Sequence, residues 1–259
     1  MSARRHAARG GIVRTLGGEG ATVATYVLVH GGGHGGWCYQ PVARLLRANG
    51  HQVYAPSLTG LGERAHLFRS GVDLDCHITD IVNLLHFEDL RDVILVGHSY
   101  GGMVITGAAD RATDRVGHLV YLDAATPVNG QALVEVAPEM LAAARAEGRI
   151  VDGVEMCLYP TDNMLRYYGV RDPELREWMK ARLTPHPWKC FEQPLTLTNE
   201  AALARIPQSH LCTTKYMWWR DVDGLRQRAN GRLWDLDTGH DMMITEPGWV
   251  AEKLMLVAG

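Results

Sequence analysis

The chain has 259 residues, 46% hydrophobic and 21% charged, and its 26 basic and 29 acidic side chains leave a formal charge of -3. That balance fits a folded α/β domain and is too even for the electrostatic footprint of a nucleic-acid or anionic-membrane binder. No apolar run reaches the roughly 18 residues of a membrane span, and the five cysteines, odd in number and without a C-x-x-C pair, suggest neither a disulfide framework nor a zinc site.

Residues 1–23 are rich in Gly, Arg and Ala and read as a leader, with at most a short edge strand over Ile12–Leu16. The start MSARRHAARGG carries charge but no apolar stretch behind it, so export is not expected and the cytoplasm is the default location. From Thr25 short apolar runs alternate with segments of helical period, the pattern of a mostly parallel sheet covered on both faces. Strands are predicted at Thr25–Val29, Gln52–Ala55, Asp92–Val96, His118–Leu122, His210–Thr213 and Arg232–Leu236. Helices are predicted over Gln40–Asn49, Leu74–Phe87 and Tyr100–Ala112. These divide the chain into an α/β core, 24–123 with 208–259, and an inserted segment, 124–207, rich in Pro, Met, Trp and Tyr. The insertion contains helix-like runs at Ala132–Ala146 and Pro173–Leu183, and is expected to cap the carboxyl ends of the strands, where open α/β sheets bind ligands.

The strongest local signal is the run VILVGHSYGG, in which a buried strand enters G-x-S-x-G and then a helix of small residues. This is the strand, turn and helix context of a nucleophile elbow, so Ser99 is the candidate nucleophile. A serine needs a base. His240, the last of twelve histidines, follows the final strand in TGHDMM and fits that role. His30 and His98, at strand ends beside glycines, are expected to order backbone, and only His34 among the rest is expected to touch the site. The Gly-rich loop His30–Trp37 permits close approach of backbone N–H groups, which points to Gly32 and Tyr100 as oxyanion donors. The second strand ends in Tyr54-Ala55-Pro56-Ser57, without the acidic residue that a dinucleotide site places there, so no cofactor is expected.

The runs VLVHGGGHGGWCY, GHSYGGMV and TGHDMM resemble the α/β-hydrolase superfamily over about residues 25–258, and within it the branch of plant methyl esterases, hydroxynitrile lyases and bacterial relatives. The resemblance implies serine esterase chemistry on a small-molecule ester, without metal or organic cofactor, under a helical cap and often in dimers. Hydroxynitrile lyases have His-Thr after the first strand and Lys after the catalytic His, whereas this chain has His30-Gly31 and His240-Asp241. Dehalogenases and epoxide hydrolases attack with Asp at the elbow, where this chain has Ser99. Most relatives carry the triad acid just past the strand read at His210–Thr213, but no carboxylate occurs there before Asp221. Asp123, after the strand His118–Leu122, matches a placement found in some members, with Asp221 and Asp223 as alternatives. Three functions follow: hydrolysis of a bulky apolar or aromatic ester, a tailoring reaction on a polyketide-like ester, lactone or thioester, or non-catalytic ligand binding. Trp37, Tyr159, Tyr167, Tyr168, Trp178, Trp188, Met217, Trp218 and Trp219 are expected to divide between core and pocket, and Glu63, Asp73 and Asp75 to be solvated charges.

Overall fold

The protein is described by a computed structural model over residues 23–219 and 221–259. The leader up to residue 22, with the strand read over Ile12–Leu16, lies outside the described residues. In chain order the first half comprises β1 (Thr25–Val29), α1 (Gln40–Ala48), β2 (Gln52–Tyr54), α2 (Leu74–Phe87), β3 (Val93–His98), α3 (Gly101–Arg111) and β4 (Val116–Leu122). The intervening segment holds α4 (Leu133–Val136), α5 (Pro138–Ala146), β5 (Arg149–Val151), β6 (Val154–Cys157), α6 (Asp162–Tyr167), α7 (Pro173–Lys180), β7 (His186–Pro187), α8 (Lys189–Glu192) and α9 (Glu200–Leu203). The chain then returns through β8 (Gln208–Thr213), α10 (Val222–Ala229), β9 (Leu233–Leu236), α11 (Met242–Thr245) and α12 (Pro247–Ala258).

Six strands form one sheet in the order β2-β1-β3-β4-β8-β9, and each of these pairings is parallel. All six residues of β3 are buried, as a central strand covered on both faces requires. Leu74, Ile78, Ile81 and Leu85 put four buried apolar side chains on one face of α2. Its start is held by Asp73, whose carboxylate accepts from Cys76 N at 3.0 Å, a cap worth about 1 kcal/mol. Because β2 lies on one side of β1 and β3 on the other, the order reverses between β1 and β3. The crevice for a ligand opens there, at the carboxyl ends.

Two expectations for residues 124–207 need correction. The run Ala132–Ala146 is not one helix: Pro138 disfavours helical backbone at the residue before it, and Ala137 sits at φ -138°, ψ 62°, separating α4 from α5. The segment also contains an antiparallel sheet, β5-β6-β7, where helices alone were predicted. Among the described residues, no helix is long and apolar enough to cross a membrane.

Candidate active site

The turn from β3 to α3 forces Ser99 into the left-handed region, φ 54°, a strained conformation for a residue with a side chain. Its flanking glycines have steric reasons. A Cβ on Gly97 would stand 2.6 Å from Gly101 O, and one on Gly101 would stand 2.7 Å from Val29 O. Ser99 O accepts from Gly102 N at 3.0 Å and from Ala125 N at 3.1 Å, so the strained turn is tied to both α3 and the end of β4. The Ser99 side chain is left facing a cavity of about 240 Å³.

His240 faces the same cavity from the loop after β9. Its Nδ1 donates to Asp123 Oδ2 at 2.5 Å. Asp123 is buried at the end of β4, at φ 43°. The β4–β8 register, with Leu122 opposite Leu211, carries it alongside the end of β8, where Thr213 N donates to its Oδ1 at 3.4 Å. Asp221 and Asp223 are occupied elsewhere. Asp221 caps α10 by accepting from Gly224 N at 2.9 Å, and Asp223 is exposed beside Arg226 at 3.4 Å.

Gly32 and Tyr100 also line the cavity, and among the described residues no hydrogen bond engages either backbone N–H. The Tyr100 side chain is anchored below, its hydroxyl donating to His77 Nδ1 at 2.9 Å while His77 Nε2 donates to Thr59 O at 2.9 Å. The rest of the wall is largely apolar, including Leu133, Met140, Leu158, Met164 and Phe191, with Glu147 and Asn163 among the few polar members. Of the aromatic candidates, Tyr167 and Tyr168 reach the cavity and also pack against His240, at ring separations of 5.2 and 6.0 Å. Trp37 and Trp178 pack edge-on at 5.1 Å, and Trp188 is buried against Phe191. Met217 is not among the lining residues, and the side chains of Trp218 and Trp219 lie outside those described.

The segment bearing Tyr167 and Tyr168 meets the His240 loop backbone to backbone. A Cβ on Gly169 would stand 2.3 Å from Gly239 Cα, so both positions exclude a side chain. Asp241 N donates to Tyr168 O at 3.1 Å beside this contact.

The histidines around the loop differ in what they face. His30 Nδ1 donates to Gly31 O at 2.8 Å and its Nε2 accepts from Leu58 N at 3.0 Å, a neutral ring that orders backbone. His98 Nε2 donates to His240 O at 3.1 Å. Burial pushes both down to about 3, and burial together with Arg232 lowers His118 to about 4. Each ring is therefore neutral when folded but protonated when unfolded below about pH 6.5, so the unfolded state binds more protons and stability rises with pH between about 4 and 6.5. Each contributes up to about 1.4 kcal/mol per pH unit in that window. The urea midpoint is accordingly expected to fall markedly from pH 7 to pH 5; equal midpoints would contradict neutral burial.

Among the described residues, two trios have donor atoms within 4.8 Å of one another, His77–His186–Cys190 and His98–His240–Asp241. Both ring nitrogens of His77 are committed to Tyr100 and Thr59, and Asp241 accepts from His34, so neither trio is assigned to a metal. Asp241, buried beside His240, entered the sequence reading only as the residue that stands where hydroxynitrile lyases have Lys, with no role in the site. Of the three acids read as solvated charges, Glu63 and Asp75 are exposed and Asp73 is half-buried, and each also holds a partner. Glu63 accepts from Ser57 Oγ at 2.6 Å, Asp73 caps α2 and pairs with Lys189 at 3.1 Å, and Asp75 binds Arg111 and Gln193. Asp73 and Asp75 thereby fasten α2 to the region of α8.

Residues 26–253 match the Alpha/beta hydrolase family. The chain is 35% identical over 251 residues to a carbendazim hydrolyzing esterase of Nocardioides sp., covering 90% of this chain and 98% of that one. It is 32% identical over 149 residues to methylesterase 2 of Arabidopsis thaliana, covering 53% and 52% of the two. Among solved structures, a methylesterase from Arabidopsis aligns with a TM-score of 0.71 at 26% identity, covering 91% of this chain and 98% of that one. With its parallel sheet, its strained serine elbow and this match over nearly its whole length, the chain belongs to the α/β-hydrolase family, in the branch that holds the methylesterases.

Proposed function

We propose that the chain is a serine carboxylic-ester hydrolase acting on a small molecule with a bulky apolar or aromatic part. The observation that carries this reading is the 2.5 Å bond from His240 Nδ1 to Asp123 Oδ2 beside a cavity that Ser99 also lines. The esterase relatives support the class of bond, and the apolar wall supports the class of substrate. As substrate enters, Ser99 Oγ attacks the acyl carbon and passes its proton to His240 Nε2. The negative charge that builds on the carbonyl oxygen is taken by Gly32 and Tyr100 N–H groups. Asp123 stabilises the imidazolium, which then protonates the departing alkoxide as the C–O bond breaks. Water, activated by His240, attacks the acyl-enzyme and releases the acid and Ser99. Non-catalytic ligand binding would explain the lack of a carboxylate directly after β8, and the bond between Asp123 and His240 weighs against it.

The test is covalent capture. A fluorophosphonate probe is expected to label the folded protein on the peptide that contains Ser99, and p-nitrophenyl esters of increasing acyl size are expected to be turned over. A folded protein that neither takes the label nor hydrolyses any ester would exclude the reading.

A further inference from the structure

His34 is buried, yet it contacts the two loops on which the proposed chemistry depends. Its Nδ1 lies 2.8 Å from Gly32 O, in the oxyanion loop, and its Nε2 lies 2.9 Å from Asp241 Oδ2, next to His240. A carbonyl oxygen and a carboxylate oxygen can only accept. Both ring nitrogens of His34 must therefore donate, which requires two protons and a positive charge. His30 and His77 each face one donor and one acceptor and need only one proton.

The surroundings support that charge. Trp37 stacks on His34 at 5.5 Å and Tyr168 tilts against it at 5.1 Å, giving the cation aromatic neighbours. Asp241 is fully buried, and His34 is its close ionic partner, with His98 Nε2 at 3.6 Å from the other carboxylate oxygen. Burial is the largest single influence and alone would push His34 down and Asp241 up, but the charge of the partner and the hydrogen bonds together outweigh it: His34 is held above its ordinary value and Asp241 below.

We propose that His34 and Asp241 are positioning residues, a buried ionic clasp that holds the Gly32 loop and the His240 loop in register. This rests on the reading of Ser99 as nucleophile and His240 as base. Neither clasp residue takes a proton from Ser99. Their part is to keep the oxyanion donor and the base at a fixed separation while charge develops between them, a geometry whose loss of about an ångström costs up to about a hundredfold. Cutting either end has the same consequence. With Asp241→Ala the partner of Nε2 is gone, so His34 is held at Gly32 O alone. With His34→Gln one amide cannot replace both donors in the same geometry.

Asp241→Ala and His34→Gln are each expected to lower kcat by roughly tenfold to a hundredfold with KM within about twofold, because register matters most in the transition state. The double variant should lose no more than the worse single variant, as for residues that act as one unit. Unchanged kcat in the folded single variants, or losses that multiply in the double, would overturn the clasp. The wild-type protein gives a second measurement that needs neither turnover nor a variant. Nitrogen-15 spectra of His34 at pH 7 should show protons on both ring nitrogens, and a single-proton ring would overturn the proposal. Because fluorophosphonate capture of wild-type Ser99 does not depend on these variants, failure of the clasp and failure of the esterase reading remain distinguishable.

Discussion

Ser99→Ala is expected to reduce kcat for a p-nitrophenyl ester by about a millionfold, the scale seen when a triad nucleophile is removed. That corresponds to about 8 kcal/mol of transition-state stabilisation. The loss should fall on kcat and not on KM, since the cavity wall formed by Leu133, Met140, Leu158 and Phe191 is untouched. Structural damage should be small. Alanine suffers the same left-handed backbone strain as serine at φ 54°, and the bonds from Gly102 N and Ala125 N to the carbonyl of residue 99 use backbone alone. A purified variant that keeps activity within a hundredfold of wild type would show that another group attacks the ester.

The second large effect is expected from Asp123→Asn, at about ten-thousandfold in kcat. Asparagine fills the same space and can still accept from Thr213 N, but it has no charge with which to stabilise the imidazolium. It also offers an amide N–H that can turn His240 towards the wrong tautomer. Asp221→Asn and Asp223→Asn are the controls. Asparagine is a good N-cap, so Asp221→Asn should leave α10 in place, and Asp223 is exposed. Both should stay within about threefold of wild type. If one of them is crippled and Asp123→Asn is not, the acid has been misassigned.

The central strands were legible because parallel strands covered on both faces are written as nearly continuous Val, Ile and Leu runs, and β3 is such a run. The elbow was legible for a steric reason, since only glycine at 97 and 101 lets the turn close. The proposed acid was harder to read. Asp123 reaches His240 through the pairing of β4 with β8, a relation between residues 117 positions apart. The partnership of His34 with Asp241 spans 207 positions and leaves no local pattern. The small sheet was missed because all three residues of β5 are exposed and show none of the alternation that marks a half-buried strand. The helix over Ala132–Ala146 failed at one residue, where Pro138 outweighed an otherwise favourable run of alanines.

The contact between Gly169 and Gly239 divides the walls of the cavity into two kinds. Tyr167 and Tyr168 belong to a stretch of chain that shares backbone contact with the loop carrying the proposed base, so altering that stretch disturbs His240 as well. Leu141, Ala143 and Ala144 reach the same cavity from α5, which among the described residues makes no such backbone contact with the His240 loop. Drift or design towards a different acyl group thus has freedom on the α5 side. On the side of the paired glycines, substrate choice and reaction rate are inherited together.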